Sequence, residues 1–166
     1  MTHEVRVARL LARYGPELAR HLRRLLQDDD QAQDALQDTM LRAHRAMTRL
    51  GAAVNERAWL YRIATNVALN HIRSRVRERR ALERHARERS GEFHPETDGG
   101  AEETERRRVA LWSRVAELPE RQRVALTLRV ADELEYEEIA ARMGSTVEAA
   151  RANVYQATRK LKVDVR

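Results

Sequence analysis

Ala58-Trp59-Leu60-Tyr61-Arg62-Ile63-Ala64-Thr65-Asn66-Val67-Ala68-Leu69-Asn70-His71-Ile72-Arg73 is the stretch on which the reading of this chain turns. At 100° per residue its side chains sort onto two sides of a helix. Arg62, Asn66, Asn70, Arg73 and, a turn further on, Arg77 fall within an arc of about 80°, while Leu60, Ile63, Ala64 and Val67 gather opposite them. The apolar side belongs to a core. The polar side offers guanidinium and amide groups, and Trp59 at its margin adds an aromatic plate; such groups can meet phosphates and base edges. Arginine faces on helices are also commonly solvated and laced with ion pairs, and a marginal tryptophan can simply be core. The rest of the chain decides between the two.

The chain has 166 residues, enough for one compact domain or two small ones, each with a modest core. Charged residues make up 35% and aromatic residues 4%, a mixture typical of Ala/Leu/Arg-rich helical proteins rather than sandwiches or barrels. The formal net charge of +6 favours a polyanionic partner, and all basic residues are arginines apart from Lys160 and Lys162. The absence of cysteine excludes disulfides and thiolate metal sites and fits a reducing cytoplasm. No apolar run reaches the length of a membrane span, and Met1-Thr2-His3-Glu4 does not open a signal peptide, so a cytoplasmic protein without membrane insertion is expected.

Apolar spacing predicts helices from about Val5 to Arg89, with breaks at Gly15-Pro16, at Asp28-Asp29-Asp30 and around residues 51–55. The three aspartates suit a helix start, where free amides and the helix dipole favour negative charge; a cation site is the rarer alternative. The pattern dissolves after Ser90 into Gly91-Glu92-Phe93-His94-Pro95-Glu96-Thr97-Asp98-Gly99-Gly100, an acidic segment with almost nothing to bury. Helical spacing resumes at Val109, Trp112, Val115 and Leu118, and Pro119 opens the next helix.

Two further helices are expected from Tyr136 to Met143 and from Val147 to Leu161, separated by Gly144-Ser145-Thr146. In the last, Ala150, Val154, Ala157 and Leu161 form the buried stripe, so Arg151, Ala152, Tyr155, Gln156 and Arg159 face outward. That is the composition of a recognition helix in a helix-turn-helix, though an ordinary antiparallel helix pair shares much of it. The helix from Gln31 to Met47 turns Ala32, Ala35, Leu36, Thr39, Met40, Ala43 and Met47 inward and leaves Leu41 outward among Asp34, Gln37, Asp38 and Arg45. An apolar anchor with a polar rim suits a protein-docking patch. The six histidines show no ligand spacing, and His71 falls on the buried side of its helix as a core residue.

Three segments together resemble one family. Ala32-Gln33-Asp34-Ala35-Leu36-Gln37-Asp38-Thr39-Met40-Leu41-Arg42 is similar to region 2.2 of bacterial RNA polymerase sigma factors, and Trp59 to Arg73 to regions 2.3 and 2.4. Leu118-Pro119-Glu120-Arg121-Gln122-Arg123, followed by Tyr136-Glu137-Glu138-Ile139-Ala140 and the terminal helix, resembles region 4. With two regions and a short linker, the chain is identified as a member of the extracytoplasmic-function (ECF) subgroup of the sigma-70 family. The resemblance implies an all-α fold: a region 2 bundle over residues 5–89, a flexible acidic linker over 90–104 and a region 4 helix-turn-helix domain over 105–166.

It further implies a transcription initiation factor with no catalytic residues, cofactor or metal. Asp34, Gln37, Asp38, Leu41 and Arg42 would engage the β′ clamp of core RNA polymerase, whose β subunit is a second contact. Trp59, Arg62, Asn66, Asn70, Arg73 and Arg77, with the loop from Thr48 to Asn55, would recognise the −10 element and hold a flipped base. Unstacking that base costs a few kcal/mol, so a pocket and phosphate contacts must offset it. Arg151, Ala152, Asn153, Tyr155, Gln156 and Arg159 would read the −35 element. An anti-sigma factor is the expected inhibitory partner. Asn70, where many members carry Asp, and the Ala-rich terminal helix depart from the common pattern, so the promoter sequence does not carry over. A polymerase-independent helix-turn-helix regulator is the nearest alternative, but it needs a dimer seam that is not evident. No HExxH, GxSxG or phosphate-cradling glycine loop supports an enzyme.

Overall fold

The computed structural model describes residues 3–49, 55–90 and 99–163, and every regular element among them is helical. α1 (His3–Leu26) and α2 (Asp29–Ala46) are antiparallel neighbours closed by α3 (Glu56–Ser90); α4 (Gly99–Val115), α5 (Glu120–Val130), α6 (Tyr136–Met143) and α7 (Val147–Val163) form the second half.

The break expected at Gly15-Pro16 is absent, because α1 runs straight through Pro16. An interior proline costs about 3 kcal/mol, but Leu10, Leu18, Leu22, Leu25 and Leu26 are all essentially fully buried, each contributing about 1.5–3 kcal/mol. Packing therefore outweighs the lost hydrogen bond. Glycine before the proline also removes the Cβ that would clash with the proline ring in a helical conformation.

The aspartates do start a helix. Asp28 has extended φ and ψ of −149° and 119°, and its Oδ1 accepts the Gln31 backbone N–H at 2.9 Å. That backbone hydrogen bond holds its carboxyl below the ordinary range. Ala32, Ala35, Thr39 and Ala43 line the buried side of α2 as the spacing requires, and Met47 in the following 3-10 turn (Met47–Arg49) continues it. Asn55 caps α3, its Oδ1 accepting from the Ala58 backbone N–H at 3.0 Å. Most of the loop expected to hold a base, residues 50–54, lies outside the described residues.

Two local expectations are corrected. Gly99 to Thr104 is not linker but the beginning of α4, where Glu102–Arg106 and Glu103–Arg107 pair at i,i+4 and Glu105–Arg108 at i,i+3, with contacts of 2.7 to 2.8 Å. Residues 91–98 lie outside the described residues. His71 is only half-buried and faces Asp38, Nε2 to Oδ2 3.5 Å. The histidine inside the core is His21, at 1% exposure.

In the second half, α6 ends on Gly144 in the left-handed region, φ 59°, and α7 begins after Thr146, whose Oγ1 accepts from the Ala149 backbone N–H. A Cβ on Gly144 would come within 2.8 Å of the Asn55 amide, so the turn is held against the start of α3. The two halves pack on one another, with α3 meeting α5 and α6.

Candidate nucleic-acid interface

The polar side of α3 forms as the periodicity requires. Ala58, Leu60, Tyr61, Ala64, Thr65, Val67, Ala68, Leu69 and Ile72 are buried, while Arg62, Asn70, Arg73 and Arg77 are exposed and Asn66 is half-buried. Trp59 is half-buried against the core and lines a small cavity between the two halves with Arg62, Glu120, Met143 and Asn153.

The head of this face is engaged within the chain. Glu120, the first residue of α5, receives Arg62 through both Nε and Nη2, at 2.9 and 2.5 Å on Oε2, while Asn66 Nδ2 donates to Oε1 at 3.2 Å. Burial pushes the Glu120 carboxyl up, but the hydrogen bonds and charge of Arg62, with Asn66, overcome it and leave the group below its ordinary value. The buried Asn66 Oδ1 has no hydrogen-bond partner among the described residues. Among the described residues Arg73 makes no hydrogen bond or ion pair and Arg77 donates only to Ser74 Oγ at 3.3 Å, so the face is occupied at its head and open beyond.

A second junction lies deeper. Asp132, in the turn after α5, places Oδ2 2.5 Å from His21 Nδ1 and receives Arg24 Nη1 on Oδ1 at 3.1 Å. An ionised carboxylate only accepts, so Nδ1 of the ring donates; Nε2 faces Thr65 Oγ1 at 3.0 Å. Burial works to raise the Asp132 pKa, but His21 first and then Arg24 more than reverse it, and the group sits below its ordinary value. Glu133, at φ 55°, adopts a left-handed conformation uncommon outside glycine, reversing the chain so that Asp132 points inward and Leu134 is buried. Arg142 of α6 adds a third contact, donating through Nε to the buried Tyr61 hydroxyl at 3.3 Å.

On α7, Arg151, Ala152, Tyr155, Gln156 and Arg159 are all exposed on one broad side, Tyr155 at 65%. Asn153 does not join them. It is half-buried, donates to the Ala149 carbonyl at 2.8 Å and lines the cavity against Trp59. The Gln156 carbonyl accepts from Gln122 Nε2 at 2.8 Å, which turns its NH2 group outward. The Arg129 and Arg151 guanidinium carbons lie 5.2 and 5.3 Å from the Tyr136 ring centroid, tying α6 to α5 and to α7. On α2, Asp34, Gln37, Leu41 and Arg42 are exposed and Asp38 half-buried, so the apolar Leu41, 55% exposed, keeps its polar rim.

Sequence reading missed Glu120, Asp132 and His21. Only His21 carried a local signal: it stands on the apolar stripe of Leu18, Leu22 and Leu25, where a polar residue needs partners.

The Sigma-70 region 2 family model matches residues 10–78, and that of Sigma-70, region 4 matches residues 108–161. The chain belongs to the sigma-70 family. Within it, the chain is of the extracytoplasmic-function type. It is 35% identical over 97 residues to the ECF RNA polymerase sigma factor SigG of Mycobacterium tuberculosis, which is 58% of this chain and 24% of that protein. It is 34% identical over 68 residues to the RNA polymerase sigma-H factor of Pseudomonas aeruginosa, 41% of this chain and 35% of that protein. The chain thus spans about a quarter to a third of the length of these curated relatives. Among solved structures, CnrH in complex with the cytosolic domain of CnrY matches at 24% identity and TM-score 0.46, over 96% of this chain and 86% of that one. The sigma factor RpoE in complex with the anti-sigma factor NepR from Bartonella quintana matches at 25% identity and TM-score 0.44, over 93% of each chain.

Proposed function

We propose that this chain is a promoter-specificity factor: it binds core RNA polymerase, reads two promoter elements through α3 and α7, and catalyses no reaction of its own. The observation that carries the reading is one chain with region 2 before region 4, in which α3 and α7 each present an outward face of Arg and amide side chains. Arg62, Asn66, Asn70, Arg73 and Arg77 contact the −10 element, with Trp59 beside them as the stacking surface for an extruded base. Arg151, Ala152, Tyr155, Gln156 and Arg159 enter the major groove of the −35 element. Asn153, expected among them, is half-buried at the margin of that face and donates to the Ala149 carbonyl.

Asp34, Gln37, Asp38, Leu41 and Arg42 form the docking face for the β′ clamp, and the β subunit is the further contact. Residues 5–89 and 105–166 serve as the two functional units. An anti-sigma factor is the inhibitory partner expected of a chain of this type, and the site of action is the cytoplasm. Among the described residues no helix is long and apolar enough to cross a membrane.

Run-off transcription from a promoter pool, with core polymerase alone, with the chain and with a Leu41→Asp variant, tests the proposal. Promoter-specific transcripts should require the chain and vanish with the variant, whose stability should be unchanged because Leu41 is exposed. Specific footprints without polymerase, and no stimulation of transcription, would instead mark an independent DNA-binding regulator.

A further inference from the structure

We propose that the distal half of α3 is a phosphate-binding rail for double-stranded DNA, through Arg80, Arg84 and Arg87 in continuation of Arg73 and Arg77. The partner is the duplex between the two elements read by α3 and α7, so the inference rests on the functional reading above. Arg80, Arg84 and Arg87 lie beyond the region 2 match, which ends at residue 78, and before the region 4 match, which starts at 108.

α3 is one uninterrupted helix of 35 residues. Along it, Arg62, Asn66, Asn70, Arg73, Arg77, Arg80, Arg84 and Arg87 follow one another at steps of three or four, within an arc of about 100°. The stripe that faces outward near Arg62 therefore still faces the same way about seven turns later. Arg73, Arg77, Arg80, Arg84 and Arg87 are all exposed, and none pairs with a carboxylate among the described residues. Two arginines on the other side of the helix are held against the protein, with Arg89 at its end exposed: Arg75 Nη1 donates to Gln31 Oε1 at 3.2 Å, and Arg79 is half-buried where its charge, after the Arg108 hydrogen bond, helps hold down Glu105. Glu88, at the edge of the stripe, turns to His85 at 3.5 Å.

The chemistry changes along the stripe. Amides stand beside guanidinium near Asn66 and Asn70, a combination able to read base edges, whereas from Arg73 to Arg87 the members are all arginine and Glu88 follows at the edge. Repeated guanidinium groups without amides or aromatics fit phosphates, which position a duplex without reading its sequence. From Arg73 to Arg87 the helix rises about 21 Å, the length of about six base pairs.

The test is the triple variant Arg80→Gln, Arg84→Gln, Arg87→Gln in the full chain, bound to core polymerase and titrated with salt on two DNA probes. One carries the intact duplex between the elements; the other is the −10 single strand alone. On the duplex probe the log–log salt slope should fall by about 3, near 0.9 per lost phosphate contact, so the deficit against wild type shrinks by about 40-fold between roughly 50 and 200 mM salt. The single-strand probe should show no change, base preference at both elements should hold, and the triple lysine variant should restore the slope. An unchanged slope on the duplex, an equal loss on the single strand, or weakened binding to core polymerase would each overturn the rail. If the wild-type holoenzyme initiates nowhere, the functional reading fails by itself, and the same slopes measured with the free chain on the duplex still decide the rail.

Discussion

Arg62 and Asn66 cannot hold a DNA strand while Glu120 holds them, so Glu120→Gln should strengthen DNA binding by the free chain. The size of the effect follows from the contact. An exposed ion pair contributes about 0.2–1 kcal/mol, and a further hydrogen bond to a charged acceptor adds about 1 kcal/mol. Arg62 is 53% and Glu120 34% exposed, so solvent screening keeps the total near the low end, and glutamine retains part of the hydrogen bonding. A loss of about 1–1.4 kcal/mol remains, and 1.4 kcal/mol is tenfold. Where the closed arrangement dominates, apparent affinity is reduced by the fraction open, so the dissociation constant should drop by about 5- to 10-fold. Fluorescence anisotropy on a −10 single strand with the full chain measures it. Removing a carboxylate also lowers general repulsion of phosphate, so Glu117→Gln, an exposed acid with no ion pair among the described residues, is the control. Equal gains from both variants, or none from Glu120→Gln, would refute the argument that this contact competes with DNA.

The Asp132 junction makes stability depend on acid. Its folded pKa lies below the ordinary value, so its contribution is present above the unfolded carboxylate range near pH 4 and is lost as pH falls through the folded value. Asp132→Asn should cost about 1–3 kcal/mol at pH 7 and flatten that acid limb in urea unfolding curves; a limb of unchanged slope would exclude Asp132 as its source. Gly144→Ala combines a positive φ with a Cβ only 2.8 Å from the Asn55 amide and should lower stability by about 1–2 kcal/mol in thermal unfolding. Gln122→Ala removes the donor that orients Gln156, so it should relax preference at the same −35 position as Gln156→Ala, which is worth about 1–3 kcal/mol. Selection from a randomised −35 library would show the two variants relaxing different positions if that coupling were absent.

Helices were legible where periodicity and caps agree. α2 starts at its aspartates, α6 occupies the expected Tyr136–Met143, and α7 buries Ala150, Val154 and Ala157 as its spacing demands. Reading failed where local chemistry was overruled. Gly15-Pro16 carries a breaker signal, but five buried leucines on the same helix decide its course. Gly99-Gly100 reads as loop, but the Glu–Arg pairs that follow extend α4 back to it. The outward faces of α2, α3 and α7 were legible because a buried stripe fixes the opposite side. Glu120 and Asp132 were not, since their partners stand at least 54 and 108 residues away, and no local pattern encodes such a pairing.

The surfaces proposed to meet DNA and polymerase are not equally exposed in this structure. Glu120 covers the head of the α3 face, while the outward side of α7, the distal arginines of α3 and Leu41 on α2 are all exposed. On the proposed reading, docking through α2 needs no prior opening, whereas reading a strand through Arg62 and Asn66 does. The closing contacts differ in kind. Arg62–Glu120 lies near the surface, where salt screens it, whereas His21–Asp132 is buried, and its geometry must be broken outright for the halves to part. Salt alone should consequently loosen the head of α3 before it separates the halves, and a partner that draws the second half away must compensate for the uncovered Asp132 and His21. Water can do so for the carboxylate. The cost of opening is then set mainly by the apolar surface and the strained Glu133 turn that keep Asp132 in place.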